Sequence, residues 1–414
     1  MLSNPFDPLP EKIGAGASAL DQQLAQVEQL RVSGEYQAAL VCADRLVAGH
    51  PKNANARNER GTCFRLVGQP EKAMIEFRVA RQLVPDSAGI VANIAGCLID
   101  LGEYEKALRA FLKALELQPD FAPVLAEIGT TYQRLGNLTK AIDYYSMAVA
   151  KNPTDSMSLS NLASARGELG EFDPCLEAAS KCLDVDAHNR EGIVFKSIAL
   201  HELGREEEAA LLFNLDWVRA FPISEVEGFP SVQAFNEALT AHVASHPSLE
   251  FEPTDRSTML GEQTGELQTD SNTAIARLVD LIQYHVARFI TYLPEDPAHP
   301  YLSRKPTEFS LSVWGTRLAS GGHQAAHIHP GGWVSGVYYT GIPTEVSKDN
   351  CQHSGWIQFG GAPSSWPLER ERVTHDFPPV EGTLILFPSY FYHRTLPFES
   401  DTKRVSIAFD AIPE

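Results

Sequence analysis

The sequence predicts a multidomain chain, an all-α solenoid over its first half followed by a β domain with flanking helices. Three observations carry this. Small residues, glycines and prolines recur at a 34-residue step before residue 223. Short β-rich runs separated by Gly, Pro and Ser turns fill the chain after Pro300. The length, 414 residues, exceeds what one core holds, so two or three domains are expected.

In the first half glycine recurs at Gly34, Gly68, Gly102, Gly136, Gly170 and Gly204. Alanine keeps the same step at Ala39, Ala73, Ala107, Ala141 and Ala209, with Cys175 filling the gap. Proline does so at Pro51, Pro85, Pro119 and Pro153, and a further small position runs Gly61, Ala95, Gly129, Ala163, Ser197. Small residues let two helices approach closely. Glycine ends the first helix of each unit and proline punctuates the end of the second. The segment LGEYEKALRAFLKALELQP, from Leu101, holds all these elements in one repeat. The pattern over residues 20–223 resembles a tetratricopeptide (TPR) array, a stack of helix–turn–helix units. Val27 breaks the small position in the first repeat, which marks it as a cap. The proline register slips to Pro222 in LDWVRAFPISEVEGFP, where the array is expected to end. Such a stack presents a concave groove that binds a peptide or protein; the alternative is a spacer or dimerisation arm.

The segment from Pro247 to Thr273 is polar and without clear period, a loop around the next domain or a lid. A helix should follow, capped by Ser271 or Asn272, with Ile275, Leu278, Val279, Ile282, Val286 and Ile290 on its apolar face. After it the runs EFSLSVWGTRL, WVSGVYYT, GWIQFG, GTLILFPS and RVSIAFD read as strands of a sandwich or small barrel.

Composition narrows the function. The net charge of −19 repels phosphate backbones and anionic membranes, so nucleic acid is not an expected partner, and a neutral or basic partner fits better. No apolar run is long enough to span a bilayer, and MLSNPFDPLP has neither a basic nor an apolar signal region. The six cysteines form no CxxC pair and suggest neither a disulfide framework nor a zinc site. A reducing, cytoplasmic compartment is expected.

The chemistry gathers after residue 320. In HQAAHIHPGGW, His327 and His329 are two apart and would project from one strand face, with Pro330-Gly331-Gly332 ending the strand. They are either polar residues of a surface strand or metal ligands. His323 has the same parity. A distant strand brings His393, and Arg404 and Ser406 share a face of the strand after that. Two imidazoles from one strand, a third from another, and an arginine with a serine soon after form an ordered set, which matches a non-haem iron site with open positions. His353 and His375 lie in Pro- and Gly-rich sequence and read as exposed imidazoles. Trp333 is either the floor of a substrate pocket or a core residue.

The motifs HIHPGGWVSGVYY and GTLILFPSYFYHRTLPF, in this order and spacing, make residues 230–412 resemble the Fe(II)- and 2-oxoglutarate-dependent oxygenases, of the type with HxHPxxWxSGVYY and GxLxLFPSxxxHRTxPF strands. The resemblance implies a double-stranded β-helix (jelly-roll, cupin-like) core. It implies Fe(II) held by His327, His329 and His393, and 2-oxoglutarate as cosubstrate. It pairs Arg404 with the distal carboxylate of 2-oxoglutarate, with Ser406 and Tyr339 beside it and Tyr338 facing away. His329 stands where this family more often has Asp or Glu. Either the site has three histidines, or His329 stands behind another ligand. An imidazole there leaves the site one positive charge higher, and its bulk argues against halogenation. The implied reaction converts 2-oxoglutarate to succinate and CO2 and hydroxylates a C–H bond.

The expected protein is thus a hydroxylase with two domains, TPR repeats over 20–223 that recruit a polypeptide and an oxygenase over 224–414. The alternatives are a small-molecule oxygenase whose repeats serve assembly, or an inactive β-helix domain on a protein-binding scaffold.

Overall fold

The computed structural model describes residues 18–253, 256–267, 273–346 and 349–414. The chain forms two compact units, Met1–Ala165 and Arg166–Glu414.

The first unit is a run of helix–turn–helix pairs. They are α1 (Ala19–Val32) with α2 (Tyr36–Gly49), α3 (Ala54–Leu66) with α4 (Pro70–Leu83), α5 (Ala88–Asp100) with α6 (Tyr104–Leu117), and α7 (Ala122–Arg134) with α8 (Leu138–Lys151). The unit boundary falls within α9 (Ser156–Glu168). Each repeat glycine stands at the turn inside a pair with positive φ. Gly102, at φ 72°, also donates its N–H to the Ile99 carbonyl at 2.9 Å. A cap then starts the next pair, as where Asn53 accepts the Ala56 N–H at 2.9 Å. The small positions are where helices touch: a Cβ on Gly61 would come within 2.6 Å of the Phe77 ring, and one on Gly129 within 2.6 Å of Tyr145. The first repeat inverts this size matching. Val27 is buried in one cluster with Ala43, which stands one period before Phe77.

The second unit opens with three more repeat helices, α10 (Phe172–Val185), α11 (Arg190–Glu202) and α12 (Glu206–Leu212). The repeat period ends there. Pro222, expected as the slipped end of the array, instead ends β1 (Arg219–Pro222), an edge strand that tolerates its missing N–H. Then come α13 (Val232–Ser245), β2 (Glu250–Phe251), β3 (Thr258–Gln263), α14 (Thr273–Tyr292), β4 (Phe309–His327) and β5 (Val334–Gly341). The last strands are β6 (Ile357–Phe359), β7 (His375–Phe377), β8 (Thr383–Pro388), β9 (His393–Thr395) and β10 (Arg404–Pro413).

All pairings are antiparallel, in the order β1-β8-β5-β10-β4-β9-β6-β7. β4 belongs to two layers. Its residues 309–318 pair with β10, and Gln324 and His327 pair with β9. It turns between them at Gly321, φ 74°, and Gly322, where a Cβ would press on the backbone of Ala319 and Leu260. One layer is therefore β8-β5-β10-β4 and the other β4-β9-β6-β7, the interleaved order of a double-stranded β-helix.

One expectation needs correction, and one helix is new. The polar segment from Pro247 is not all loop, because β2 and β3 form there and β3 lengthens the sheet beside β4. α13 had no counterpart in the sequence reading. It packs on the sheet through Phe235, and its Asn236 carboxamide oxygen accepts the Tyr338 hydroxyl at 2.8 Å. α14 buries Ile275, Leu278, Ile282, Val286 and Ile290 as expected, with Val279 at the margin. Its expected caps, Ser271 and Asn272, lie outside the described residues.

The two boundaries mark different things. Residue 223 is where the repeat period stops. The compact unit begins at Arg166 because the β domain builds on the last repeats. Trp366 is buried over Gly167 and stacks on Phe195 at 5.3 Å. Glu202 accepts the backbone N–H groups of Glu369 and Arg370, and the Tyr390 hydroxyl donates to the Leu212 carbonyl at 2.7 Å.

Candidate metal and cosubstrate site

β4 ends at His327, β9 begins at His393, and these two residues are direct partners across the ladder. His329 was expected on the strand with His327. It lies instead just past the strand end, where its backbone N–H donates to the Ser389 carbonyl at 2.9 Å. The three rings still converge. Each offers one ligand atom, and these atoms all lie within 4.8 Å of one another.

Hydrogen bonds fix which nitrogens are free. His327 donates from Nδ1 to the Ala325 carbonyl at 2.7 Å, and His393 to the Phe391 carbonyl at 2.9 Å. Nδ1 of His329 lies 3.0 Å from Oδ2 of Asp410. In the neutral ring, an Nδ1 that donates leaves the lone pair on Nε2. Nε2 of His329 and Nε2 of His393 are 3.3 Å apart, close enough to share a proton or to bind one metal ion together. Neighbouring nitrogens on one metal, each about 2.1 Å from it, lie about 3 Å apart. Burial, then the neighbouring His329, pushes His327 down to about 4. Burial, then His327 and His329, holds His393 well below the usual imidazole range. His327 keeps some surface, yet a dense shell of atoms encloses its ring. Three imidazoles that turn their Nε2 edges together, with His327 and His393 kept neutral by burial, fit a divalent metal.

The other end of the site is a buried cation. Arg404 is 2% exposed, and its Nε has no hydrogen-bond partner. Its Nη1 lies 3.5 Å from Ser406 Oγ, and its guanidinium sits 5.0 Å from the Tyr339 ring centre. The Tyr339 hydroxyl is buried beside this guanidinium, which is the group that steadies it. Burial raises the Tyr339 phenol and lowers the Arg404 guanidinium, and each group partly offsets the other's shift. A buried guanidinium that meets no carboxylate among the described residues calls for an anion. A small chamber of about 20 Å³ joins these groups to the histidines, with Trp314, Gln324, Phe387 and Thr395 also in its wall. It shares Trp314, Gln324, His327 and His329 with an open, largely polar cleft of about 440 Å³.

The sequence singled out other residues that the structure sets apart. His323 was weighed because of its parity, but the ladder shifts register between Gln324 and His327, so alternation fails there. Its Nδ1 turns to the Gly321 carbonyl at 3.2 Å. Trp333 is a core residue, buried and stacked on Tyr301 at 4.2 Å. His353 is not a free surface imidazole: it bonds Asp376 at 2.7 Å and stacks on Trp356. His375 is exposed, on β7 rather than in a loop. Tyr338 faces away from the chamber, toward α13, while Tyr339 lines the chamber.

Trp314 and Asp410 were missed. Trp314 stacks on His329 with ring centres 5.7 Å apart. Strand alternation through Arg404, Ser406 and Ala408 leads to Asp410, so that signal was present in RVSIAFD.

Known proteins resemble the two parts separately. Residues 312–410 match the family described as "Putative 2OG-Fe(II) oxygenase". Residues 98–136 and 122–154 match tetratricopeptide-repeat families, and residues 33–114 match the family of anaphase-promoting complex, cyclosome, subunit 3. The chain therefore joins repeats that match tetratricopeptide families to a domain that matches the putative 2OG-Fe(II) oxygenase family. No curated protein matches it. Among solved structures it is similar to a thermophilic TPR protein of Thermus thermophilus, at 23% identity and a TM-score of 0.41, covering 44% of this chain and 100% of that one. It is also similar to PilF of Pseudomonas aeruginosa, at 18% identity and a TM-score of 0.43, covering 47% and 88%. A third, YrrB, described as a TPR protein with an unusual peptide-binding site, is 17% identical with a TM-score of 0.34, covering 42% and 90%.

Proposed function

We propose that the protein is an Fe(II)- and 2-oxoglutarate-dependent hydroxylase that acts on a polypeptide recruited by its repeats. One observation carries the oxygenase reading: three imidazole lone pairs and one uncompensated buried guanidinium face the same chamber. His327, His329 and His393 would hold the metal, and Arg404 the distal carboxylate of 2-oxoglutarate, with Ser406 and the Tyr339 hydroxyl as further donors. When bound, Fe(II) and 2-oxoglutarate supply an O2-derived oxidant as the diacid becomes succinate and CO2, and the second oxygen atom goes to the substrate as hydroxyl.

The chain's own groups do the rest. Arg404 selects a dicarboxylate by charge and fixes its orientation. Phe387, Ile357 and Val337 line the chamber with apolar surface that limits water. The chamber has room for about one water. Side chains in its wall must therefore shift when a five-carbon diacid enters. The cleft beside the histidines is open and rich in polar groups, including Gln263, Glu266, Ser312 and Gln324. Such a wall suits a hydrogen-bonding segment of polypeptide better than an apolar metabolite. In this division of labour residues 20–223 bind and 224–414 oxidise.

A second reading has one observation in its favour. Part of the array, α10 to α12, is committed to packing on the β domain. Repeats that only assemble the protein would leave the oxygenase with a small-molecule substrate. Anaerobic loading with Fe(II), then succinate formation from 2-oxoglutarate with and without candidate peptides, separates the two. Peptide-stimulated succinate with equimolar hydroxylation supports the polypeptide reading. Stimulation by small molecules alone supports the second.

A further inference from the structure

We propose that Asp410 is the positioning carboxylate of the metal site: it holds His329 with Nε2 toward the metal and supplies, one residue behind it, the negative charge that the site lacks. This rests on the three-histidine reading above. That reading leaves a problem, since an imidazole in place of a carboxylate leaves the site one positive charge higher. Among the described residues, a carboxylate stands directly behind that imidazole and behind neither of the others. His327 and His393 donate from Nδ1 to neutral backbone carbonyls, Ala325 and Phe391. Of the three, and among the described residues, His329 alone has a carboxylate at Nδ1, 3.0 Å away.

The arrangement is built. The Asp410 and His329 side chains are 17% and 14% exposed. The second oxygen of Asp410 accepts the Ser335 hydroxyl at 2.6 Å, from the strand that pairs with β10 at that residue. The His329 ring lies between Trp314, at 5.7 Å and 22°, and His393, at 5.1 Å and 14°. With its faces covered and Nδ1 held, the ring has one free edge, Nε2, and that edge meets Nε2 of His393. His329 needs this clamp more than its neighbours do, because it lies beyond the end of β4 and no ladder fixes it. A carboxylate bound to Nδ1 also makes Nε2 a stronger donor to a cation.

The test is anaerobic titration of the metal-free full-length chain with Co(II), whose visible spectrum reports the ligand field, together with the melting temperature of each metal-free variant. Wild type, Asp410→Asn, His329→Asp and the double variant are compared. Asp410→Asn should weaken Co(II) about tenfold to a hundredfold and shift the spectrum. With an anionic ligand supplied directly by His329→Asp, the same Asp410→Asn change should cost less than about threefold, a coupling that an ordinary structural role would not show. Equal losses in the two backgrounds, or wild-type affinity and spectrum in Asp410→Asn, overturn the role of Asp410 and leave the three-histidine site standing. No Co(II) binding by the wild type overturns the site reading and the inference with it. Should Asp410→Asn fold poorly, Ser335→Ala loosens the carboxylate without removing it. Severalfold weaker Co(II) binding then supports the proposal, and unchanged binding counts against it.

Discussion

At the scale of single residues, charge and protonation govern the site. Arg404 has no carboxylate at ion-pair distance among the described residues, and Ser406 and Tyr339 lie beside it. Arg404→Ala should raise the 2-oxoglutarate concentration needed for half-maximal succinate formation by about a hundredfold, the order of a lost charged hydrogen-bond pair. Metal content should stay at the wild-type level; an unchanged requirement makes Arg404 structural. The histidines set a pH dependence in the metal-free protein. His327 is held neutral in the fold down to about 4. An unfolded imidazole takes up its proton near 6.5. Between these values the unfolded chain binds more protons, so stability falls as pH falls, on the order of 1 kcal/mol per pH unit for such a histidine. Melting temperatures of metal-free protein between pH 7 and 4.5 check this, and His327→Gln should flatten the slope. Strand spacing drew attention to His327, Arg404 and Ser406, and motif order to His393 and Tyr339, and these five line one chamber. Trp314 was not legible, because it acts by touching His329 across strands; alternation from Arg404 reached Asp410, but its contact with His329, just past the end of β4, is nonlocal and left its role unread.

At the scale of elements, the repeats were legible and the start of the β domain was not. A 34-residue register repeats one packing contact, and the Gly61–Phe77 and Gly129–Tyr145 pairs are that contact. α13 and β2 lack such repetition. β3 gains its place by pairing with β4, a nonlocal fact. The joint between repeats and sheet also depends on one side chain. Trp366, 6% exposed, meets Gly167, Phe172 and Phe195. Trp366→Ala should cost about 3–5 kcal/mol of the stability of the unit 166–414. In urea, fluorescence and limited proteolysis should show α10–α12 and the segment near residue 366 loosening first. A midpoint within error of wild type would mean this packing is dispensable.

At the scale of the whole molecule, the useful boundary is the compact one. A chain starting at residue 224 lacks β1, which pairs with β8, and lacks the partners of Trp366, Tyr390 and Phe391. A chain starting at residue 166 keeps them. The longer fragment should be soluble and bind metal, and the shorter should aggregate; soluble, metal-binding 224–414 would refute this. Charge is unevenly shared as well. Residues 1–165 hold 16 of the 34 Lys and Arg and 18 of the 53 Asp and Glu, so most of the net −19 lies in the unit with the candidate site. Salt-sensitive attraction of a basic segment should therefore persist in the 166–414 fragment.

The central claim is that three histidines and Arg404 form one site for Fe(II) and 2-oxoglutarate. It is tested most directly by adding 2-oxoglutarate to the anaerobic Fe(II)-loaded chain and following the visible charge-transfer absorption of the chelate. The wild type should develop the band at stoichiometric iron, His393→Ala should develop none, and Arg404→Ala should require far more 2-oxoglutarate to reach it. A wild-type protein that binds no iron, or binds iron without developing the band at any 2-oxoglutarate concentration, would contradict the account.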